Sequence, residues 1–183
     1  SVTSDNTSRE LRTIAENPPG KEAYLSGLGD WITPTNSFYV RSHFSGLPEL
    51  DSASYSLEIS GCVERPFSIS YDEILQLPSE NMIVTMECAG NSRSFVSPAA
   101  EGIGFHHGAV GNARWKGVLL SKLLSRAGMK DTAIEALFEG AAIGEEEEEG
   151  QTIRLKYARS IPVINALSDS IIVAYEMNGS ALE

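Results

Sequence analysis

The run Ile83-Val84-Thr85-Met86 is apolar and β-branched, and it leads through Glu87 and Cys88 straight into Ala89-Gly90-Asn91-Ser92-Arg93-Ser94. Such a run enters a core as a strand, so any fold for this chain has to deliver a thiol to a strand end and turn sharply there. Ala89 and Gly90 allow close backbone approach at the turn, and Arg93 sets a cation nearby that favours the thiolate. A thiolate so placed suits a soft metal or nucleophilic chemistry. The competing reading is an inert core cysteine, the usual state of a free Cys.

Around that strand the chain reads as short strands and brief helices. Tyr55-Ser56-Leu57-Glu58-Ile59-Ser60 alternates as a half-buried strand does, and Ile134–Glu139 and Ile171–Tyr175 read as further strands. Ser70-Tyr71-Asp72-Glu73 forms a capping box that opens a helix over Tyr71–Leu77, stopped by Pro78. Leu119–Ala127 has helical spacing, with Gly128 placed as a left-handed cap. The expected class is α+β, dominated by sheet. Residues 1–20 read as a polar arm with one short helix over Arg9–Glu16, ended by Pro18-Pro19-Gly20, and residues 21–183 as part of one domain. The five glutamates Glu145–Glu149 fit no EF-hand and read as a solvated mobile loop. Asn178-Gly179 signals a hairpin turn, with only Ser180-Ala181-Leu182-Glu183 following. The expectation is a C-terminally incomplete domain whose strand at Ile171–Tyr175 lacks a full partner.

Charge narrows the ligand classes. With 25 acidic against 14 basic residues the net charge is −11, which disfavours nucleic acid and anionic membrane surfaces. Between Cys88 and Lys116, however, Arg93, Arg114 and Lys116 face only Glu101, so a small anion has a local positive site. No segment has the length of a membrane-spanning helix, and the polar start is not a signal peptide. The two cysteines, Cys62 and Cys88, form no Cys-x-x-Cys motif and no c-type haem attachment sequence; a disulfide between them would contradict a metal site. P-loop and Gly-x-Gly-x-x-Gly fingerprints are absent, and Gly90-Asn91-Ser92-Arg93-Ser94 lacks the last glycine of a nucleophile elbow. His106 and His107 are adjacent, so on a strand their rings point to opposite faces; hydrogen-bonded histidines are the default. A cysteine hydrolase pairing Cys88 with one of them remains open.

Three blocks in order carry a resemblance: Phe38-Tyr39-Val40-Arg41-Ser42-His43, Cys88-Ala89-Gly90-Asn91-Ser92-Arg93, and Gly111-Asn112-Ala113-Arg114-Trp115-Lys116-Gly117-Val118-Leu119-Leu120. With Tyr157–Pro162 and Ala174–Gly179 they make the chain resemble, over residues 38–179, the molybdenum-cofactor domain of the sulfite oxidase family. The resemblance implies a sheet-dominated fold in which Cys88 binds molybdenum held by one molybdopterin. Tyr39, Arg41, Ser42, His43 and Arg114 fall in its cofactor-binding blocks. Arg41 and Arg93 match the two arginines of an oxyanion pocket, where a planar, permanently charged fork suits sulfite. The plain alternative for either is a surface ion pair. Phe105 takes the place of a pocket tryptophan. The chain departs from the pattern at Ser92, where an arginine is common, and at Ala142, where an aspartate is common. The resemblance further implies oxidation of sulfite to sulfate with a separate cytochrome as electron acceptor, compatibility with a homodimer, and a periplasmic location. It places a His-Gly-x-Pro-x-Arg phosphate-binding stretch and an active-site tyrosine after Glu183, so these residues alone are expected to hold cofactor weakly. Nitrate reductase, sulfane dehydrogenase and a cofactor-free interaction domain are the other readings.

Overall fold

A computed structural model describes residues 10–182 of the chain, which divide into two compact units. One contains the chain up to Leu47, Ile83–Trp115 and Met177–Ser180; the other contains Pro48–Met82, Lys116–Glu176 and the residues from Ala181 on.

In the first unit β1 (Leu11–Ala15) pairs antiparallel with β2 (Gly20–Ala23), which also pairs with β3 (Val40–Arg41). The helix expected near Glu16 is therefore a strand; Arg9 lies outside the described residues. Its register explains why: Arg12 stands opposite Glu22, and its guanidinium meets the buried Glu22 carboxylate across the ladder. A buried charge needs its partner more than a five-residue segment needs helical propensity. Thr33 and Ser37 are buried beside this sheet's connections, with Thr33 N–H bonded to the Asn112 carbonyl at 2.7 Å.

The second unit holds an apolar cluster of Ile69, Ile74, Val118, Leu123 and Tyr175, all at most 5% exposed. Strands β4 (Ser56–Ile59) and β5 (Phe67–Ser70) form an antiparallel pair, and α1 (Tyr71–Gln76) follows at once. The capping box at its start is complete: the Ser70 hydroxyl accepts from Glu73 N–H at 3.3 Å, while the Glu73 carboxylate accepts from Ser70 N–H at 2.8 Å. The helix α2 (Leu120–Ala127) buries Leu120, Leu123 and Ala127 and ends on Gly128 at φ 69°. Both helices fall where the capping residues predict.

The strands β6 (Glu80–Glu87), β7 (Val110–Leu119), β10 (Ile172–Met177) and β11 (Ser180–Ala181) pair in the order β11-β10-β7-β6. Asn178 and Gly179, at φ 53° and 86°, make the expected turn, and Ser180–Ala181 supplies a short return strand beside β10. Gly117 is where β7 comes close to β10: a Cβ there would lie 2.2 Å from the Val173 carbonyl oxygen.

The glutamate run is ordered structure. β8 (Glu135–Glu148) and β9 (Gln151–Pro162) build a two-stranded antiparallel ribbon turned at Glu149-Gly150, with α3 (Val163–Ala166) following. The mobile-loop expectation fails because a strand sends successive carboxylates to opposite faces, and β9 sets Arg154 opposite Glu145 and Thr152 opposite Glu147. Glu149 and Gly150 both adopt positive φ, 51° and 77°, as a two-residue turn of this twist requires.

Substituting Gly117→Ala is expected to destabilise the protein by about 1–3 kcal/mol, the cost of forcing atoms into a packed site. Chemical denaturation measures it; an unchanged midpoint would show that β10 yields at Val173.

Candidate active site around Cys88

Cys88 follows β6 and is half-buried. Its backbone carries the turn: Cys88 N–H donates to the Ala109 carbonyl at 2.9 Å, and its own carbonyl accepts from Asn91 N–H at 2.8 Å. The sulfur accepts from Gly90 N–H at 3.4 Å. Asn91 braces the loop twice, donating from Nδ2 to the Glu87 carboxylate at 2.8 Å and accepting through Oδ1 from Ala109 N–H at 3.1 Å. Ser92 adopts φ 66° and sends its N–H to the His106 carbonyl. A single 3-10 turn over Arg93–Phe95 closes the segment.

Glycine decides where Arg93 goes. Its guanidinium lies against Gly90 and Gly102, where added Cβ atoms would come within 3.1 Å and 2.2 Å of it. Gly102 also holds φ +106°, a conformation other residues rarely adopt. Arg93 is thereby half-buried and folded back beside the residue two positions after Cys88, with Nη1 3.5 Å from the Ile103 carbonyl.

Tyr39 belongs to the same site. Its hydroxyl is held above the usual tyrosine range by burial, then by the negative charges of Cys88 and Glu87. It therefore stays protonated at neutral pH and can donate a hydrogen bond. Its ring stacks on Phe38 at 5.4 Å, and Phe38 meets Trp115 edge-on at 5.9 Å. Arg41 is exposed on β3 opposite Gly20. Ser42 donates its hydroxyl to the Phe44 carbonyl at 2.6 Å and its N–H to the Pro19 carbonyl at 2.9 Å, while His43 meets the Phe44 ring at 4.6 Å. Arg114 is exposed on β7. Tyr39 and Arg93 are thus brought to the Cys88 loop; no hydrogen bond or ion pair joins Arg41, Ser42 or Arg114 to it among the described residues.

Among the described residues, few of the basic ones are held in ion pairs. Ion pairs among the described residues use Arg12 with Glu22, Lys116 with Glu176 and Lys156 with Glu139, and His106 also faces Glu22. Arg41, Arg93 and Arg114 have no carboxylate partner among those residues, although the chain carries a net charge of −11. No ion pair holds Arg41 or Arg93 among the described residues. A guanidinium without a carboxylate partner keeps its planar fork of donors available.

His106 and His107 lie outside any strand and both rings meet Phe95, at 5.6 Å and 4.5 Å, so the opposite-face expectation does not apply, but they take different hydrogen-bond partners. His106 Nδ1 lies 3.0 Å from the Glu22 carboxylate, whereas His107 Nδ1 lies 2.8 Å from the Ser92 hydroxyl and stacks on Phe95 at 4.5 Å. Phe105 is 1% exposed and sits in the core, against Gly20. Ala142 is on β8.

Sequence reasoning gave Glu22 no role, named Asn112 only within its block and read Asn178 only as a turn residue. Asn178 binds both main-chain groups of Arg114, accepting from its N–H at 3.0 Å and donating to its carbonyl at 2.7 Å, and reaches Thr33 and Thr35 through Nδ2. Asn112 accepts from the Thr85 hydroxyl and donates to the Trp31 carbonyl. The one available signal was that asparagine tolerates positive φ at a turn.

The residues fit a molybdenum cofactor. Cys62 and Cys88 are both free thiols, so no disulfide competes for the sulfur, and Cys88 supplies the soft donor that such a metal takes. The arginines without carboxylate partners have the donor chemistry that a cofactor phosphate would need.

Comparison with known proteins agrees. Residues 44–183 match the family described as "Oxidoreductase molybdopterin binding domain". The mitochondrial sulfite oxidase of Mus musculus is 34% identical over 175 residues, covering 92% of this chain and 30% of that protein. Nitrate reductase [NADH] 1 of Arabidopsis thaliana is 35% identical over 182 residues, covering 94% and 19%. This chain therefore spans less than a third of the length of these relatives. In fold it is similar to the sulfane dehydrogenase SoxCD of Paracoccus pantotrophus, at a TM-score of 0.76 and 24% identity, over 100% of this chain and 47% of that one. The sheet-dominated α+β fold with short helices is thus the expected one, and the chain belongs to the molybdopterin-binding oxidoreductase domain family.

Proposed function

We propose that this chain forms the cysteine-bearing part of a molybdenum enzyme that oxidises sulfite to sulfate and passes the electrons to a separate haem acceptor. The observation that carries this is the free, half-buried Cys88 thiol beside a folded-back Arg93 that, like Arg41 and Arg114, lacks a carboxylate partner. When bound, the cofactor supplies the oxygen transfer and takes up two electrons.

The chain's residues divide the remaining work. Cys88 thiolate holds the metal, and Tyr39, Ser42, His43 and Arg114, with Arg41, hold the pterin and its phosphate. Arg41 and Arg93 orient the sulfite anion and offset its charge. Arg93 is the better placed of the two, because Gly90 and Gly102 let its guanidinium lie flat against the loop. The Tyr39 hydroxyl, held above its usual range by burial and then by the neighbouring Cys88 and Glu87, is a donor toward the same site.

A nitrate-reducing enzyme is the second reading, favoured by the Arabidopsis nitrate reductase matching as well as the sulfite oxidase does. Nitrate is also a planar-faced oxyanion that arginine forks accommodate. A periplasmic site of action and a homodimer complete the proposal.

The test uses full-length protein from a molybdenum-replete host, assayed with sulfite and with nitrate. About one molybdenum per chain by mass spectrometry and sulfite-dependent acceptor reduction are expected; metal-free protein would sink the reading. Cys88→Ser is expected to keep the fold and abolish turnover, since a neutral hydroxyl replaces a soft thiolate poorly; wild-type rates would refute the ligand role. Arg93→Gln is expected to raise the sulfite KM with little loss of thermal stability, because a charge-assisted donor contributes roughly 1.5–3 kcal/mol. Unchanged steady-state kinetics would make Arg93 structural.

A further inference from the structure

Among the described residues of the first unit Glu22 is the one carboxylate with no exposed surface, and no step above uses it. Burying an ionised carboxylate is costly unless every lone-pair direction is met. Here both oxygens are met: Oε1 by the Arg12 guanidinium and by His106 Nδ1 at 3.0 Å, Oε2 by His106 N–H at 2.7 Å. Burial alone would raise its pKa, but the Arg12 hydrogen bond, the His106 and Gly108 backbone groups and the Arg12 charge together hold it below the usual carboxylate range.

What Glu22 grips is a five-residue strip, Phe105 to Ala109, that touches the Cys88 loop along its other edge. Ser94 N–H donates to the Phe105 carbonyl at 3.1 Å, Ser92 N–H to the His106 carbonyl, and Cys88 N–H to the Ala109 carbonyl at 2.9 Å. Ala109 N–H in turn donates to Asn91 Oδ1 at 3.1 Å. On the β2 side the strip is fastened a second time, by Ala23 N–H to the Gly108 carbonyl at 3.1 Å. The contact is so close that a Cβ on Gly108 would lie 1.9 Å from the Ala23 carbonyl oxygen. The strip is a splint: one edge is bolted to β2 by the Glu22 carboxylate, and the other sets the backbone of Cys88, Ser92 and Ser94.

We propose that Glu22 is a positioning residue for the Cys88–Arg93 loop, acting through residues 105–109 and, across the β1–β2 ladder, through Arg12. A change in one side chain of β2 thereby reaches the thiol and the guanidinium without touching either. For its kinetic consequence the proposal rests on the molybdenum-enzyme reading; for its structural consequence it does not.

Glu22→Gln separates the two. The amide is nearly isosteric, so packing is kept, but its NH₂ now faces a donor, either His106 N–H or the Arg12 side with His106 Nδ1. Hydrogen exchange on the full-length protein is the primary measurement. The expected result is about tenfold faster exchange at Cys88, Ser92, Ser94 and Ala109, the loss of one charge-assisted hydrogen bond, with the exchange of Val118 and Leu123 unchanged. Glu22→Asp, which keeps the charge but withdraws the oxygens by one methylene, is expected to show the same local pattern. In the molybdenum-loaded enzyme Glu22→Gln should raise the sulfite KM about tenfold and leave kcat within twofold. Local exchange effects in a protein that oxidises no sulfite would uphold the positioning role while the functional reading fails. Unchanged exchange at the four amides, equal acceleration across the whole protein, or failure of both variants to fold would each overturn it.

Discussion

The hydrogen bond from Cys88 N–H to the Ala109 carbonyl is the contact on which the rest of the site depends. A thiol at a strand end has only main-chain groups to hold it, because its own side chain must stay available. Here the strand β6 stops, and the backbone of residues 105–109 takes over as the partner of the loop that follows. Asn91 fits its amide into the corner so formed, using one end on Glu87 and the other on Ala109. Ser92 accepts a left-handed conformation at that corner, a local strain repaid by a main-chain hydrogen bond and by the His107 ring.

The electrostatics follow from the same arrangement. An acidic protein would be expected to neutralise its arginines, and Arg12 is neutralised, by a fully buried carboxylate. Arg41, Arg93 and Arg114, like most of the basic residues, have no carboxylate partner among the described residues, and burial, then the neighbouring Cys88 and Glu87, hold the Tyr39 hydroxyl above its usual range.

Local signals were legible in the sequence, and long-range ones were not. The Ser70–Glu73 capping box, the Gly128 cap and the Asn178-Gly179 turn each involve residues within a few positions of one another, and each stands where the residue types place it. The Cys88 loop was legible because strand, small residues and cation are consecutive. β1 was read as helix because Arg12 is matched to Glu22 only across a turn, and nothing in residues 9–16 reveals that a buried acid awaits. Nothing in the residues flanking Glu22 marks it as the buried acid of this unit. The acidic run looked mobile because its partners, Gln151 to Arg154, become visible only once the register is known.

That run has a role in solubility. A ribbon of two strands with no further strand beside it among the described residues offers main-chain donors and acceptors along both edges, an invitation to pair with another molecule. Apolar side chains such as Leu137 and Phe138, 68% and 41% exposed, would strengthen the invitation. Toward the tip, however, any copy docking in register would bring carboxylate rows of Glu145–Glu148 to within about 5 Å of one another, the spacing of adjacent strands. Near its tip the β8 edge is therefore disfavoured for pairing with a second copy, by the repulsion of like charges set directly opposite one another.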